Sequence, residues 1–248
     1  MAIKKHYQGT KIKKSMQKEE EIRVGFVSII SHQLKTPLSI IKGYLEGLLT
    51  GDQGQINPGQ REYLNEALEI NKETIDLVND YLKYCQMDTG NIEVNPQLIS
   101  LEMVVDEVIK KIMPLAHSSN CAIEYKKPKE KLPNVYVDLI KIKQVVQNIL
   151  TNAIRYIKRR GEIIVEIKKT KNDIIFSCRD NGVGIPDSEQ REIFTRFFRG
   201  KNVLKMDSHG SGLGLYLARV VIESSGGEIW FKSKENHGTK FYFSLPIK

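Results

Sequence analysis

Two long amphipathic helical patterns joined by a short link constrain most strongly what the first part of this chain can fold into. Apolar residues recur at helical spacing from about residue 20 to residue 49, and again from about residue 58 to residue 87. The link, residues 50–59, is rich in turn-forming residues, so the helices are predicted to form an antiparallel hairpin. One hairpin has too little surface to bury both apolar stripes, which favours a homodimer in which two copies form a four-helix bundle.

The pattern changes after residues 88–91, Asp-Thr-Gly-Asn, which end the second helix. Beyond them, interleaved helices and mostly hairpin-connected strands predict a two-layer α/β sandwich, a sheet with helices on one face. The chain is therefore predicted to be multidomain, α followed by α+β. Its predicted parts are a basic lead-in at 1–20, a helical domain at 21–88, a linker at 89–96 and a mixed domain at 97–248. Strands are predicted near 122–125, 135–137, 163–168, 174–179, 228–232 and 240–245, and helices near 101–117, 139–156 and 212–224.

Composition excludes several classes of protein. At 248 residues the chain is long enough for one or two domains with a real core. No apolar run approaches the roughly 18 residues of a membrane-spanning helix, and the first residues lack the apolar segment of a signal peptide. The cysteines, Cys85, Cys121 and Cys178, are odd in number and form no CxxC pair. They indicate a reducing compartment, and neither a disulfide framework nor a zinc site.

The formal net charge of +8 raises the question of an anionic partner. Much of the excess lies in residues 1–20, where lysines greatly outnumber glutamates. This segment is suited to lie near anionic lipid or to follow a membrane segment further upstream, and a solvated helical lead-in explains it equally well. The sequence contains no helix-turn-helix pattern, zinc knuckle or basic strand interleaved with aromatic residues, so nucleic acid is not an expected partner.

One histidine in the first helical pattern, His32, is placed where it can be phosphorylated. It lies in the octet SHQLKTPL and shares a helix face with Thr36, four residues later. Pro37 removes a backbone donor and disturbs the helix one turn back, at the carbonyl of Gln33. Taken alone, a histidine on an amphipathic helix is more often a solvated or core residue. The interpretation of His32 as a phosphorylation site therefore depends on the motifs of the mixed domain.

A stripe of polar side chains follows one face of the helix predicted at 139–156. Asn148, Asn152 and Arg155 recur at i, i+4 and i+7, away from the apolar face. Asparagine oxygens are hard ligands suited to Mg²⁺, which keeps several waters and bridges phosphates. A solvated polar face explains the stripe equally well.

The strand predicted at 174–179 leads into the motif DNGVGIP, which places the carboxylate of Asp180 at a strand end. Such a carboxylate can accept a hydrogen bond from an exocyclic amine, while Gly182 and Gly184 let a planar base approach. The motif by itself also fits a simple turn.

A second glycine motif, HGSGLGL, places Gly210, Gly212 and Gly214 at the start of a predicted helix. Free backbone N–H groups and the helix dipole favour phosphate there. The motif is neither a P-loop nor a Rossmann sequence, and alone it is weak evidence. The polar, charged stretch 200–208 before it resembles a mobile lid over a nucleotide.

In chain order, SHQLKTPL, QNILTNAIRY, DNGVGIP, IFTRFFRG and HGSGLGL resemble the H, N, G1, F and G2 boxes of bacterial two-component sensor histidine kinases. The resemblance covers about residues 21–248, and five motifs in the family's order and spacing make it highly specific. It implies a dimerisation and histidine-phosphotransfer domain of the HisKA type at 21–88, followed at 97–248 by a catalytic ATP-binding domain of the Bergerat (GHKL) fold.

Carried over by position, the resemblance implies ATP and Mg²⁺ as cofactors and His32 as the phospho-acceptor. Asn148 and Asn152 would hold Mg²⁺, Asp180 would recognise the adenine amino group, and Arg199 would stabilise charge on the γ-phosphate. The other residues that the resemblance implies at the nucleotide are Arg155, Tyr156, Gly182, Gly184, Ile185, Phe197, Gly210, Ser211, Gly212, Leu213, Gly214 and Leu215.

The resemblance also implies a reaction. Neutral His32 attacks ATP in line through a ring nitrogen, and the phosphoryl group then passes to an aspartate in the receiver domain of a response regulator. Thr36 matches the position that orients a water when the same hairpin dephosphorylates the regulator. Gln33 departs from the family, which usually has Glu or Asp there: its amide can accept an N–H bond but cannot act as a base near neutral pH. We therefore expect slower autophosphorylation than with an acidic residue.

Two other functions fit part of the sequence. Gln33 is compatible with a signalling module that binds ATP but acts mainly as a phosphatase or scaffold. A gyrase-like ATPase fits the mixed domain but leaves the histidine-bearing hairpin unexplained. No sensor domain precedes residue 21, so the input is expected from a separate chain or from an upstream region of a membrane-anchored parent, with this core in the cytoplasm.

Overall fold

The computed structural model describes residues 33–88, 95–157, 160–204, 206 and 210–247. The chain divides into two compact units, Met1–Glu93 and Val94–Lys248. His32 and the basic segment 1–20 lie outside the described residues. No helix in the described ranges is long and apolar enough to cross a membrane.

The first unit contains the predicted helical hairpin. Helix α1 occupies residues 33–50 and helix α2 spans Pro58–Asp88. A reciprocal pair of hydrogen bonds begins α2: the Asn57 N–H donates to the Gln60 side chain at 2.9 Å, and the Gln60 N–H donates to the Asn57 side chain at 2.8 Å. Arg61 Nη1 then donates to the Leu49 carbonyl at 3.3 Å, which ties the start of α2 to the end of α1. The turn-rich link therefore acts as predicted.

Each helix of the hairpin leaves apolar surface uncovered. On α2, Leu68 and Asn71 are buried, whereas Ile70 is 54% exposed and Leu77 is 51% exposed. Large apolar side chains are exposed on α1 as well, among them Ile41 at 45%. The uncovered residues on both helices recur at heptad spacing, so they form stripes that a second helical pair can cover. Among the hairpin side chains that the structure describes, the exposed large apolar ones are Leu34, Ile40, Ile41, Tyr44, Leu48, Tyr63, Ile70, Leu77 and Tyr81.

Asn71 is a polar residue inside the apolar seam of the hairpin. It is 6% exposed, and its Oδ1 has no hydrogen-bond partner among the described residues. A buried amide without a partner costs stability, on the order of 1–3 kcal/mol.

The second unit is built on a five-stranded sheet of order β2-β4-β5-β7-β6, in which β2 and β4 are parallel and the other neighbours antiparallel. A separate antiparallel pair joins β1 and β3. The elements are β1 Pro96–Ile99, α3 Leu101–Ser118, β2 Cys121–Lys126, β3 Val135–Asp138, α4 Leu139–Arg155, β4 Gly161–Lys169, β5 Asp173–Asp180, α5 Lys201–Leu204, α6 Gly214–Ser224, β6 Ile229–Ser233 and β7 Thr239–Pro246.

One face of this sheet forms the core. Alternate residues of the central strands point to it, and the Phe176 and Phe243 rings stack there with centroids 4.7 Å apart. Helix α4 covers this face and packs against both α3 and α6. The opposite face, here called the open face, carries Trp230 and Tyr242, whose rings stack at 5.2 Å, and several charged side chains. The predicted two-layer arrangement is confirmed.

Strand β1 is not among the strands predicted from the sequence. It is four residues long, begins with proline and has no clear alternation of apolar and polar side chains. It becomes a strand because β3 pairs with it in the register Leu98 opposite Tyr136.

Candidate functional site

The capped helix α4 carries the predicted polar stripe. Asp138 caps it, because its Oδ1 accepts from the N–H groups of Ile140 at 2.9 Å and Lys141 at 3.1 Å. The apolar face of α4 is fully buried, from Ile142 to Ile154. Asn148 and Asn152 lie half-buried beside that face. The amphipathic pattern thus brings the two amides to the rim of the core.

The amide orientation of Asn148 is set by α6. Its Nδ2 donates to the Gly214 carbonyl at 3.2 Å, so its Oδ1 points away from that contact. Neither this oxygen nor the side chain of Asn152 makes a hydrogen bond among the described residues. Two neutral amide oxygens without partners fit a hydrated Mg²⁺ that takes its remaining ligands from phosphate and water. The described residues contain no cluster of three or more acidic, histidine or cysteine side chains that would hold a metal alone.

Asp180, at the end of β5, is the acidic group of the site. It is 8% exposed, and its Oδ1 accepts two backbone hydrogen bonds, from Gly182 at 2.8 Å and from Thr239 at 3.1 Å. Its Oδ2 has no hydrogen-bond partner in the described part of the chain. Burial raises the pKa of Asp180 to about 6, against the opposing effect of the two N–H groups and the charge of Arg179. The carboxylate is therefore held rigidly by one oxygen and can accept through the other.

Gly184 fits the loop after Asp180 tightly to the turn between β6 and β7. Its φ is +64°, and a Cβ at this position would overlap the Lys234 carbonyl. Next to it the Ile185 N–H donates to Ser233 Oγ at 2.9 Å, and the Asn202 side chain donates to the Gly184 carbonyl at 3.1 Å. The loop is thus fixed on one side by the turn and on the other by α5.

Tyr156 and Gly182 connect α4 to the same loop. The Val183 N–H donates to the Tyr156 carbonyl at 3.0 Å, and a Cβ on Gly182 would lie 2.6 Å from that carbonyl oxygen. Only a residue without a Cβ therefore fits at position 182, between the Tyr156 carbonyl and the Asp180 carboxylate.

The second glycine motif packs on the aromatic segment before it. Gly212 has a φ of +68°, and a Cβ there would lie 2.7 Å from the backbone carbon of Phe197. Phe197 itself has a positive φ of 61° and is 53% exposed. A Cβ on Gly210 would lie 3.3 Å from Arg155 Nη1 and 3.9 Å from Arg199 Cζ. Two guanidinium groups thus approach the same glycine from different elements.

The N-terminus of α6 adds further donors. Leu213 is its N-cap and provides no side-chain cap, while its own N–H donates to Ser211 Oγ at 3.2 Å. The first-turn N–H groups, including those of Gly214 and Leu215, have no intrahelical acceptor and there is no acidic residue in that turn. Leu213 is fully buried, so its backbone alone can face a ligand. This end of α6 has the donors and the dipole that bind phosphate.

The predicted residues therefore fall into two groups. Those of the mixed domain come together around Asp180, the amides of α4 and the start of α6. Gln33 and Thr36 are exposed on α1, in the other unit, and His32 lies outside the described residues. Sequence reasoning missed Thr239 and Ser233, which hold Asp180 and the glycine loop. Their signal is the Gly-Thr pair before the last strand, which becomes meaningful only once that strand lies beside β5.

Two family models match the chain. The first, described as the His Kinase A (phospho-acceptor) domain, matches residues 22–90. The second, described as the histidine kinase-, DNA gyrase B-, and HSP90-like ATPase, matches residues 137–248.

Curated relatives share sequence over almost the whole chain. Sensor protein kinase WalK of Staphylococcus saprophyticus is 31% identical over 236 residues, which are 94% of this chain and 38% of the relative. A WalK protein of Staphylococcus aureus is also 31% identical, with 94% of this chain and 55% of the relative covered. The chain thus spans about two fifths to just over half of the length of these relatives.

Solved structures share the fold. The catalytic domain of histidine kinase ThkA is 28% identical, with a TM-score of 0.54 over 62% of this chain and 98% of that chain. Full-length ShkA in complex with AMPPNP has a TM-score of 0.71 at 23% identity, over 89% of this chain and 45% of that chain. ThkA in complex with the response regulator protein TrrA has a TM-score of 0.64 at 20% identity, over 97% of this chain and 66% of that chain. The last two likenesses concern the fold alone.

Proposed function

The chain belongs to the two-component sensor histidine kinases, with both of the family's domains, and from this membership we propose that it is the ATP-dependent kinase core of such a sensor. It phosphorylates His32 and passes the phosphoryl group to an aspartate of a response regulator, and it also dephosphorylates that regulator. The observation that carries the proposal is Asp180, a buried carboxylate with one oxygen held by two backbone N–H groups and the other without a partner.

Adenine is the base that this carboxylate selects. The exocyclic amino group of adenine donates to Asp180 Oδ2, and a base with a carbonyl at that position would place two acceptors against each other. Gly182 and Gly184 let the loop after Asp180 pack closely on the Tyr156 and Lys234 carbonyls, which fixes this loop beside the carboxylate. Ile185 adds an apolar contact at the edge of the base.

The phosphates lie between α4 and the start of α6. Arg155 and Arg199 approach Gly210 from two sides, and the first-turn N–H groups of α6 point to the same region. The amide oxygens of Asn148 and Asn152 would hold a magnesium ion, which would neutralise phosphate charge. The chain itself orients the γ-phosphate and stabilises the charge that develops on it.

The chemical step transfers one phosphoryl group. A neutral ring nitrogen of His32 attacks the γ-phosphorus, the nitrogen–phosphorus bond forms, and the bond from the γ-phosphorus to the bridging oxygen breaks as ADP leaves. Gln33 orients the ring by accepting its other N–H through Oε1, but it takes no proton. The ring proton is therefore lost to water, which makes the step slower than with a carboxylate at residue 33.

Two copies of the hairpin form the phosphotransfer domain. The exposed heptad stripes of α1 and α2, with Ile41, Ile70 and Leu77 among them, are covered when a second hairpin completes a four-helix bundle. The receiver domain of the regulator docks on the outer face of this bundle beside His32, and Thr36 orients the water of the phosphatase reaction.

The test is incubation of the chain with radiolabelled ATP and Mg²⁺, followed by acid and base treatment of the label. We expect an acid-labile label that is absent from His32→Ala and from Asp180→Ala, with Thr36→Ala keeping the label but losing phosphatase activity towards the regulator. Equal labelling of His32→Ala would refute the assignment of the phospho-acceptor.

A second candidate, a phosphatase or scaffold that binds ATP without phosphorylating itself, is favoured by Gln33 alone. It predicts nucleotide binding and regulator dephosphorylation with no label on His32 in the same assay. The kinase proposal predicts label that Gln33→Glu increases.

A further inference from the structure

Three cations stand in register on the open face of the sheet. Arg179 on β5 lies opposite Lys240 on β7, and Lys240 lies opposite Lys232 on β6. Residues directly opposite each other share a face of the sheet, with Cβ atoms about 5 Å apart. Like charges so placed repel each other, so this row lowers the stability of the sheet unless something neutralises it.

The chain provides little neutralisation. Lys240 Nζ lies 3.7 Å from Glu166 and 5.1 Å from the centre of the Tyr242 ring. Glu166 is shared with Lys168, which lies closer to it at 3.2 Å. Arg179 and Lys232 have no ion pair within the described ranges, although Arg179 lies near enough to Asp180 for the two charges to attract each other. The row therefore keeps a net positive charge.

The end of the sheet that carries these three cations forms a cleft. Its volume is about 290 Å³, and the turn between β6 and β7 adds Lys234 and His237 to the row of three cations. Asp180 is the acidic residue in the lining, and its Oδ1 is already engaged by Gly182 and Thr239. His237 Nδ1 lies 2.9 Å from the Glu235 carbonyl, which holds the ring at the rim. The remaining lining residues are Ser233, Gly238 and Thr239.

We propose that this cleft binds a ligand with two or more phosphate groups, at a site separate from the nucleotide site. Arg179 offers a planar pair of donors that suits bidentate contact with one phosphate, and Lys232 and Lys234 provide point charges for another. Arg179, Lys232 and Lys240 line the cleft from the open face of the sheet, whereas helices α4 and α6, which carry the other residues assigned to the nucleotide, cover the opposite face. Asp180, at the end of β5, is the residue that both sites share. A soluble oligophosphate and the headgroups of an anionic membrane share this chemistry.

The cleft shares its wall with the residue that recognises adenine. The Thr239 N–H donates to Asp180 at 3.1 Å, and Gly238 packs so closely on the Asp180 carbonyl that a Cβ there would overlap it. A phosphate ligand that orders the β6–β7 turn therefore changes nucleotide affinity, and by linkage the nucleotide changes affinity for the ligand equally. This coupling rests on the proposed function, while binding in the cleft does not.

The test measures binding of inorganic tripolyphosphate to the full chain by calorimetry at constant ionic strength, without Mg²⁺ and with saturating AMPPNP. The nucleotide blocks the phosphate region of its own site. We expect binding that the double variant Arg179→Ser, Lys232→Ser weakens by about a hundredfold, roughly tenfold for each charged donor removed. The matched control, Lys129→Ser with Lys171→Ser, removes two exposed charges away from the cleft and is expected to bind within about twofold of the parent.

A second arm uses vesicles of phosphatidylcholine with and without phosphatidylglycerol. If the cleft variant no longer binds anionic vesicles while the control variant still does, the phosphate groups belong to a membrane. If the cleft variant loses only tripolyphosphate binding, the ligand is soluble. Equal losses in both variants, or no binding in either arm, would overturn the proposal. Neither arm depends on kinase activity, so failure of the proposed function leaves this result readable.

Discussion

Replacing Asp180 with asparagine separates the stability that the buried charge costs the fold from the hydrogen bond that the carboxylate offers to adenine. Asparagine has the same shape, and its Oδ1 can keep both hydrogen bonds, from Gly182 at 2.8 Å and from Thr239 at 3.1 Å. Its Nδ2 takes the place of Oδ2, so the site presents a donor where adenine also presents a donor. We therefore expect Asp180→Asn to lose ATP binding and to gain stability without nucleotide.

The size of the gain follows from the pKa of Asp180, which burial raises from its ordinary value of 3.8 to about 6. This difference corresponds to about 3 kcal/mol between the two protonation states. Because the pKa is raised in the folded state, the stability that the protonated group provides is complete below pH 3.8 and is lost as the pH rises to about 6. At neutral pH the ionised carboxylate of Asp180 therefore lowers the stability of the folded state by this full amount. The neutral amide of Asp180→Asn does not.

The assay is urea unfolding without nucleotide, followed through the single tryptophan, Trp230 in β6. At about pH 7.5 we expect Asp180→Asn to be more stable than the parent by roughly 1–3 kcal/mol, and at about pH 4 the gap nearly closes. Asp180→Ala is the control, because it leaves the N–H groups of Gly182 and Thr239 without an acceptor and should be less stable at both pH values. Saturating ATP should stabilise the parent alone, by about 2.7 kcal/mol at a hundredfold excess over Kd. A variant no more stable than the parent at neutral pH, or a gap that does not change with pH, would refute the reasoning.

Three further predictions follow from single residues. Gln33→Glu supplies a proton acceptor beside His32 and should raise the autophosphorylation rate by about tenfold or more in a radiolabel assay; Gln33→Met is its control, and a rate for Gln33→Glu at or below the parent's would contradict the role given to residue 33. Gly184→Ala should destabilise the second unit by about 2 kcal/mol or more in the Trp230 unfolding assay, because the φ of +64° is left-handed and Lys234 blocks the Cβ; Gly47→Ala, in an open helical position, should cost nothing. Asn71→Leu should stabilise the helical unit by roughly 1–3 kcal/mol and so raise its unfolding midpoint in circular dichroism, since it removes a buried amide whose Oδ1 has no hydrogen-bond partner among the described residues. An unchanged midpoint would contradict this reasoning.

Local patterns explain which parts of the fold could be predicted. Helices α2, α3 and α4 follow from apolar periodicity, whereas the caps that begin two of them, Asn57 before α2 and Asp138 before α4, are found only in the structure. Strand β1 and the parallel pairing of β2 with β4 could not be predicted in this way. Both depend on partners far along the chain, and no local pattern encodes the choice of partner.

The candidate site divides in the same manner. Asp180 and the glycines are visible as motifs because their chemistry depends on residue types at short spacing. The contacts that hold them are between distant segments: Thr239 reaches Asp180, Gly214 reaches Asn148, and Ser233 reaches Ile185. Such contacts can be identified only when the order of the strands in the sheet is known. The motifs could therefore be predicted from the sequence, whereas the residues that hold them in place could not.

The position of β7 in the sheet also determines when this unit can fold during synthesis. Strand β7 lies between β5 and β6, although both precede it in the chain. While the ribosome still holds residues 239–246, β5 has one open edge and β6 has no partner in the sheet, so nascent chains expose unpaired strand edges. The Asp180 site, which needs the Thr239 N–H, is likewise incomplete until then. We therefore expect the second unit to bind nucleotide only after Pro246 has left the exit tunnel, and a stalled or cleaved chain that ends before β7 to be recognised by chaperones and proteases before it can act as a kinase.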